Sequence, residues 1–323
     1  MPSPFTLFFM AVFFLESLAA MLQNGFMVAV LGREWVQGRA LLSGDMIVAC
    51  VAASRLGLHS MSFLNNLLVI VNSNDRVGYL DIFWDFSNML TFWMNGWLSA
   101  FYCVKIASFS HPTFLWLRWR LSRAMRGLLL GSLTISVLAT IPSAIGNTIV
   151  TQMKASQSPS ANNSWAERAR SFQLRFFLVH EILTLSLPFL LFLVSTALLM
   201  FSLHQHLSQM RGGRHGVPDI STQAHTTALK TLAFFLVFYT SYFLTLIVVI
   251  MKVTPRQLYK YWACEVVIYA CISLHSTILL LSSPRFRRAL KNGLQGCGAT
   301  SGGGLDRGGQ VPPKGSDQGL VRV

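Results

Sequence analysis

The feature that most constrains this chain is a series of seven long apolar segments. A helix needs about 20 mostly apolar residues to cross the hydrocarbon core of a bilayer, and each segment reaches that length. Since a backbone inside lipid must satisfy its own hydrogen bonds, such segments form helices. The sequence therefore predicts an all-α membrane protein, a bundle of seven transmembrane helices. The predicted spans are approximately Phe5–Leu31, Asp45–Val71, Tyr79–Ser108, Gly127–Val150, Phe172–Leu203, Ala228–Val253 and Leu258–Ser282.

The charged residues predict the orientation of this bundle. Only 12% of the residues are charged, against roughly 25% in a soluble domain, and the net charge is +14. If the N-terminus lies outside, 17 Lys and Arg residues fall on the inner side and 8 on the outer side. Cytoplasmic loops carry an excess of Lys and Arg, so we predict an outer N-terminus and a cytoplasmic C-terminus. The partner of the basic residues is then the lipid bilayer, and no nucleic-acid partner is needed to explain the positive net charge.

Three features lie outside the predicted spans. The Gly-rich stretch from Gly296 is predicted to be a disordered cytoplasmic tail, which divides the chain into a membrane domain at 1–295 and a tail at 296–323. Asn162 begins an N-x-S sequon in the longest outer loop and is predicted to be glycosylated. Cys297 follows a basic stretch and is either an unmodified tail cysteine or a palmitoylation site.

One charge lies deep inside a span. Arg55 is 10 residues into the second span, about 15 Å from its start, so its side chain must face the bundle interior and find hydrogen-bond acceptors. Asn24, Ser54 and Ser276 are candidates at a comparable depth in the first, second and seventh spans. The cluster is either a purely structural clamp or a switch element, and a clamp that joins three helices can be both.

The third span carries a polar stripe at helical spacing, and a stripe of this kind faces the interior of a bundle. Its members are Asp81, Asp85, Asn88, Asn95, Ser99 and Tyr102, and Phe92 completes the helical spacing between Asn88 and Asn95. Trp93 and Trp97 form a second row on the same helix. These two rings line a cavity, pack against a neighbouring helix, or belong to an interfacial belt.

Polar groups of other spans converge at the same depth as the outer part of this stripe. Asp85, Glu181 and Glu265 all fall in the outer halves of their spans, where no Lys or Arg lies. Tyr269 shares a helix face with Glu265, and convergent polar and aromatic groups predict a ligand cavity. We expect such a cavity to prefer weak bases or hydrogen-bond donors.

The motifs of enzymes are absent. His180 and Glu181 begin like the zinc motif H-E-x-x-H, but Thr184 takes the place of the second histidine. The chain has no phosphate-binding or dinucleotide-binding glycine loop and no nucleophile elbow. Several histidines fall in the third inner loop, where solvated histidines are favoured over a metal site. The sequence therefore predicts neither an enzyme nor a bound metal or cofactor.

Several motifs match a known receptor family. The chain reads FYCVKIASFSHPTFLWLR at 101–118, SLPF at 186–189, SLHQHLSQM at 202–210 and STQAHTTALK at 221–230. With Asn24-Gly25, Ser54-Arg55 and His275-Ser276, these motifs resemble the bitter taste receptors (taste receptor type 2), which are seven-helix G-protein-coupled receptors. The resemblance implies a receptor of the plasma membrane that binds small bitter compounds and activates a gustducin-type heterotrimeric G protein.

The resemblance also implies roles for individual positions. The ligand-binding residues that it implies are Asn65, Asn66, Trp93, Trp97, Tyr242 and Glu265, to which the polar pattern adds Asp85, Asn88, Glu181 and Tyr269. The predicted switch residues are Asn24, Arg55, Tyr102, Lys105, Tyr239, His275 and Ser276. The predicted G-protein contacts are His111, Phe114, Leu115, His206, Met210, His225 and Lys230.

Two alternatives to a bitter taste receptor stay open at this point. A pheromone receptor of the vomeronasal type 1 group is the nearest competitor within the receptor class, although the block from Phe101 favours taste. A small polytopic transporter is a competitor from another class, but matched broken spans are absent. On the inner face, Phe114 and Leu115 either meet a protein partner or rest against lipid headgroups.

Overall fold

The structure is a computed structural model that describes residues 3–72, 78–107, 112–155, 164–212, 220–250 and 258–301. All regular structure in these ranges is helical. The helices are α1 (Pro4–Val36), α2 (Ser43–Asn72), α3 (Gly78–Ile106), α4 (Pro112–Ala155), α5 (Ser164–Gly212), α6 (Ile220–Ile250), α7 (Leu258–Ser282) and α8 (Pro284–Ser301).

The ends of α1 show how local sequence sets a helix. Ser3 precedes the first turn, and its hydroxyl accepts a hydrogen bond from the backbone N–H of Thr6 at 3.3 Å, which satisfies one of the free donors of that turn. Pro4 suits the first helical position because its missing N–H would have no partner there. After the last turn, Gly38 adopts a positive φ of 75°, which a glycine tolerates and which ends the helix.

Helices α1 to α7 belong to one compact unit that ends at Ser282. Neighbours in sequence are in contact from α1 through α7, and α1 also contacts α7, so the contacts form a closed ring. Helix α3 contacts α2, α4 and α5. It therefore packs extensively against three neighbours, including α5, which does not follow it in sequence.

Six of the described helices are long and apolar enough to cross a membrane: α1, α2, α4, α5, α6 and α7. Helix α3, the third predicted span, is not among them, although its 29 residues are sufficient in length. The mean hydropathy of α3 is lowered by polar residues on its inward face. These residues, among them Asn88, Thr91 and Asn95, are buried against neighbouring helices rather than exposed to lipid. A helix enclosed by three others does not need an apolar surface all round.

The surface of this unit is apolar and its interior is partly polar. Large apolar side chains such as Leu15, Leu22 and Leu138 are 59–69% exposed. Buried positions include Arg55, His59 and many Ser, Thr and Asn side chains. This arrangement is the reverse of that in a soluble protein, and it suits a helical unit whose solvent is lipid.

Several helices are longer than the predicted spans. The stretch up to Arg126, which we predicted as an inner loop, is helical from Pro112. Helix α5 continues beyond its predicted end to Gly212, and α6 begins before its predicted start, at Ile220. Hydropathy identifies residues that tolerate lipid, whereas Arg, Leu, Met and Gln also favour helices in water. The sequence analysis also missed α8, which crosses the predicted boundary at 295 and carries Arg and Lys along an amphipathic helix.

Gly96 is predicted to be necessary for the contact between α3 and α5. A Cβ atom there would lie 3.1 Å from the carbonyl oxygen of Pro188 and 3.2 Å from the side chain of Leu191. We expect Gly96→Ala to lower the free energy of unfolding by about 1–3 kcal/mol, because the backbone carbonyl cannot move aside. The matched control is Gly131→Ala in α4, where a Cβ meets nothing within 4 Å. Thermal unfolding of both purified variants measures the difference, and equal stability would contradict the prediction.

Candidate functional site

Arg55 is the largest fully buried side chain, with 1% of its surface exposed. Its Nη1 donates to Oγ of Ser276 at 2.9 Å, and its Nη2 donates to Oδ1 of Asn95 at 2.8 Å. Nη2 also contacts Nδ1 of His275. Because a guanidinium has only donors, that nitrogen must be the acceptor, with the ring proton on Nε2. Arg55 thereby joins α2 to α3 and α7.

Asn24 belongs to the same cluster without contacting Arg55. Its Oδ1 accepts a hydrogen bond from Ser276 at 3.1 Å, and its Nδ2 donates to the carbonyl of Ala20 at 2.8 Å. The expectation that Ser276 accepts from Arg55 is confirmed, whereas Asn24 acts one bond further away. Asn24 thus orients the hydroxyl that Arg55 uses and brings α1 into the network.

An aromatic cluster covers the cation on the side of α5 and α6. The ring of Phe92 lies 5.1 Å from that of Tyr242 and 5.2 Å from that of Tyr239. Phe192 of α5 lies 4.4 Å from Tyr239. The hydroxyl of Tyr239 is buried and has no hydrogen bond of normal geometry among the described residues, and the same is true of Nδ2 of Asn95. These two groups lie close together, with Arg55 beside them.

Tyr242 connects this cluster to the polar stripe of α3. It is completely buried, and its hydroxyl donates to Oδ1 of Asn88. Asn88 in turn lines a cavity between α3, α4 and α5. The cavity and the Arg55 cluster are therefore connected by one hydrogen bond and a set of stacked rings.

This cavity brings together three of the predicted ligand-binding residues, Asp85, Asn88 and Glu181. Its lining residues are Asp85, Asn88, Met89, Ala139, Thr140, Ser143, His180, Glu181, Thr184 and Leu185. The volume of the cavity is about 20 Å³, which is room for one or two water molecules. Ligand cavities of drug size are far larger, so this one is too small to hold a whole drug-sized ligand as it stands.

Two carboxyl groups face each other across the cavity. Asp85 of α3 and Glu181 of α5 are close enough to repel, and Asp81 adds a third acid one turn away. Ser143 of α4 donates a hydrogen bond to Asp85. Like charges in a poorly solvated site favour the binding of a cation or the retention of a proton. The electrostatic character of the cavity is therefore acidic.

Apart from Tyr242, which belongs to the aromatic cluster, the remaining predicted ligand-binding residues form two other groups. Near α1, α2 and α7, Asn65 donates to Asp81 at 2.7 Å, and Oδ1 of Asn66 accepts from Tyr261 at 3.2 Å. Tyr269 accepts from Nε1 of Trp84 at 2.6 Å, and Glu265 lies near Glu16 of α1. These side chains bind one another across helix boundaries, and they are not part of the cavity wall.

The third group is the tryptophan pair of α3. Trp93 and Trp97 stack with their rings 6.1 Å apart, and Nε1 of Trp97 donates to Oγ of Ser132 at 2.7 Å. This geometry favours the interpretation in which the second row faces a neighbouring helix, here α4. Trp93 is 8% exposed, and its own Nε1 is buried without a partner among the described residues.

The predicted inner-face residues differ in exposure. Phe114 is half-buried and packs, with Tyr102, against the buried cluster of Cys103, Ala107 and Leu199. It is therefore not the open apolar side chain that the loop prediction implied. Its neighbour Leu115 is 53% exposed. Lys105 is also exposed, with its ammonium 5.7 Å from the ring centre of Phe101.

The other inner residues lie near the facing ends of α5 and α6. His206 is exposed and His225 is half-buried, and their ring centres are 5.2 Å apart. Lys230 is exposed one to two turns further along α6. Met210 lies in α5, although the structure does not describe its side chain. The predictions for His111 and for the sequon at Asn162 lie outside the described residues.

Some site residues were not predicted from the sequence. Phe92 was part of the stripe by spacing alone, yet its ring is the centre of the aromatic cluster. Thr140, Ser143 and His180 line the cavity from α4 and α5. Thr140 and Ser143 continue, with Ser132 and Ser136, a row at helical spacing in the fourth span, a signal that the sequence analysis did not use.

Comparison with known proteins identifies relatives along most of the chain. The profile of the family described as Taste receptor protein (TAS2R) matches residues 1–297. Taste receptor type 2 member 62 of Pan paniscus is 54% identical over 292 residues, which are 90% of this chain and 93% of that protein. Member 134 of Rattus norvegicus is 52% identical over 287 residues, 89% of this chain and 86% of that protein. Member 143 of Rattus norvegicus is 48% identical over 291 residues, 90% of this chain and 99% of that protein.

Removal of the buried cation is predicted to destabilise the protein. Arg55→Ala leaves the acceptors of Asn95, His275 and Ser276 without their donor, and each unsatisfied buried group costs about 1–3 kcal/mol. We expect surface expression to be largely lost and the unfolding temperature of purified protein to fall. Arg33→Ala is the control, because Arg33 is exposed in the last turn of α1. An Arg55→Ala protein as stable as the control would show that the cluster is not a clamp.

Proposed function

This chain belongs to the taste receptor type 2 family and is a receptor rather than an enzyme, and on that premise we propose that it detects small bitter compounds at the plasma membrane and activates a gustducin-type G protein. The observation that carries the proposal is the acidic cavity between α3, α4 and α5, which one hydrogen bond and a set of stacked rings connect to the Arg55 cluster.

The proposed topology has seven spans, with the N-terminus outside and the C-terminus in the cytoplasm. The closed ring of contacts from α1 to α7 supports α3 as a span, since α3 lies among helices that are themselves apolar enough to cross. The excess of Lys and Arg on the inner side supports the orientation. Asp85, Glu181 and the cavity then lie in the outer half, where a ligand arrives.

The proposed ligand is a small compound with a protonated amine or a strong hydrogen-bond donor. Asp85 and Glu181 present acceptors from two helices, and Asn88 adds an amide between them. Because the cavity is smaller than such a compound, the ligand binds as the helices around it separate or as side chains change rotamer. The groups around Asn65, Asn66, Tyr269 and Glu265, and the pair of Trp93 and Trp97, border this region and provide further contacts once it opens.

The proposed signal passes from Asn88 through Tyr242 to the aromatic cluster. A ligand that takes the hydrogen bond of Asn88 releases the hydroxyl of Tyr242, and the stacked rings of Phe92 and Tyr239 move with it. Nδ2 of Asn95 and the hydroxyl of Tyr239 are neighbours, so a movement of the Tyr239 ring changes the contact between them. Because Nδ2 and Oδ1 of Asn95 belong to one amide group, that movement also shifts Oδ1, which accepts from Arg55. Arg55, Asn24, His275 and Ser276 thereby act as both clamp and switch.

The proposed G-protein surface lies at the inner ends of α3 to α6. Tyr102 and Phe114 pack there on the joint between α3, α5 and α6, together with Leu232. Leu115 and Lys105 are exposed beside them, and the remaining predicted contacts, His111, His206, Met210, His225 and Lys230, belong to the same end by topology. A rearrangement of this joint would change the surface that the G protein meets.

The ligand site is tested with Asp85→Asn and Glu181→Gln. Each change removes one carboxyl that can carry a negative charge beside a bound ammonium, with little change in volume, so we expect the potency of protonated-amine agonists to fall about tenfold, which corresponds to 1.4 kcal/mol. Calcium responses of cells that express the receptor with a promiscuous G protein measure this potency. Neutral analogues of the same agonists and Glu34→Gln, near the inner end of α1, are the controls. An equal loss for neutral and charged agonists would contradict the acidic site.

The G-protein surface is tested with Leu115→Asp. The change places a charge on an exposed apolar position, so we expect agonist binding to persist while agonist-driven nucleotide exchange on the G protein falls at least about tenfold. Leu117→Asp is the matched control, because Leu117 is also exposed but lies on another face of α4. If both variants respond alike, Leu115 rests against lipid headgroups rather than against a partner.

A further inference from the structure

Two histidines from different helices meet near the inner end of the helical unit. His206 lies in the last two turns of α5 and His225 in the second turn of α6. Their rings are perpendicular, at 83°, with centres 5.2 Å apart. The switch and cavity described above use neither ring. The sequence analysis assigned several histidines to the third inner loop and gave no reason to expect contact between these two in particular.

This separation is the one expected for two imidazoles that share a metal ion. Nitrogen–zinc bonds of about 2.0–2.1 Å at a tetrahedral angle place the two ring centres about 5 Å apart. Neutral imidazole is also the commonest protein ligand of divalent transition metals. We propose that His206 and His225 form a binding site for a transition-metal ion of the Zn²⁺, Cu²⁺ or Ni²⁺ class, and that the ion joins α5 to α6.

The surroundings fit an exchangeable ion. His206 is exposed, so an ion reaches the pair from the aqueous side without crossing the core. No group of three or more His, Cys, Asp or Glu that could hold a metal exists in the part of the chain that the structure describes. Two protein ligands leave the other positions to water, as in an open site, so binding is reversible and weaker than in a structural zinc site.

An ion at this position has a consequence for signalling that rests on the proposed function. It links the inner ends of the two helices that border the joint packed by Phe114 and Leu232. If activation changes the distance between α5 and α6, an ion bound by both stabilises the arrangement in which the rings are 5 Å apart. By linkage, the ion then lowers the response to agonist in proportion to its preference for that arrangement.

Metal binding is tested first and without any agonist. Purified receptor in nanodiscs is titrated with Ni²⁺ and with Cu²⁺, the latter also followed by electron paramagnetic resonance, which detects coordinated imidazole nitrogen. We expect saturable binding of one ion, with two imidazoles in the copper spectrum. His206→Gln and His225→Gln should each weaken binding at least about tenfold. Mg²⁺, which prefers oxygen ligands, should not compete.

The matched control is His204→Gln. His204 is exposed on the same helix, two residues from His206 and therefore on another face, so its loss should leave binding unchanged. If the His204 variant binds as weakly as the others, or if His206→Gln and His225→Gln bind like the unaltered receptor, the assignment is wrong. His204 and His206 are exposed and His225 is half-buried, so we expect all three variants to fold, and their surface expression checks this.

The signalling consequence is measured separately, in membranes where the inner face is accessible. Because His206 and His225 also belong to the proposed G-protein surface, the agonist-driven nucleotide exchange of each protein with Ni²⁺ is compared with its own rate without metal. We expect Ni²⁺ to reduce this rate in the unaltered receptor and in His204→Gln, but not in His206→Gln and His225→Gln. Binding without inhibition would leave the metal site standing and overturn the link to activation. Absence of agonist response in every protein, with metal binding intact, would instead contradict the proposed function.

Discussion

The interaction on which the rest of the structure depends is the burial of one guanidinium among four helices. A cation in a medium of low dielectric is tolerated only where acceptors surround it. Ser276, Asn95 and His275 supply them, and Asn24 orients the first of these. The demand fixes the rotation of α1, α2, α3 and α7 about their axes, because each must present a particular polar side chain to one point. The apolar surfaces of these helices face lipid and would allow many rotations, so specificity comes from the polar interior.

That polar interior is continuous along α3. From the cavity inward, its face carries Asp85, Asn88, Phe92 and Asn95, and each of these contacts a different neighbour or the cavity itself. Helix α3 therefore carries the proposed ligand site and the Arg55 cluster on the same face, one or two turns apart. A displacement of either end changes contacts along the same face, and this arrangement makes α3 the natural carrier of coupling between the two sides of the membrane.

Sequence reasoning predicted the parts of this molecule that repeat with a period. The apolar runs gave the helices, the spacing of the α3 stripe gave its inward face, and the depth of Arg55 gave a buried cation that needs acceptors. The parts that it missed depend on partners far apart in the chain. Asn95 and His275 were not identified as ligands of the guanidinium, because their distance from Arg55 is set by how α3 and α7 rotate. The helical extensions at Pro112 and Gly212 were missed because hydropathy ends at the lipid boundary, whereas helix propensity does not. The predicted ligand residues were placed in a single site, but they divide among three groups and the aromatic cluster, which holds Tyr242, because most of these side chains pair with their nearest neighbours.

If the cavity between α3, α4 and α5 is the ligand site that we propose, its small size determines what kind of sensor the molecule is. Every compound that binds must first separate the same side chains, so a common opening cost is subtracted from each affinity. Such a cost weakens all ligands alike and does not select among their shapes, whereas the acids of the cavity select by charge. The outcome is a detector with modest sensitivity and wide chemical tolerance, in which threshold and breadth are set by separate features. Evolution can then alter the detection limit by changing how easily α3, α4 and α5 separate, without altering which compounds are recognised.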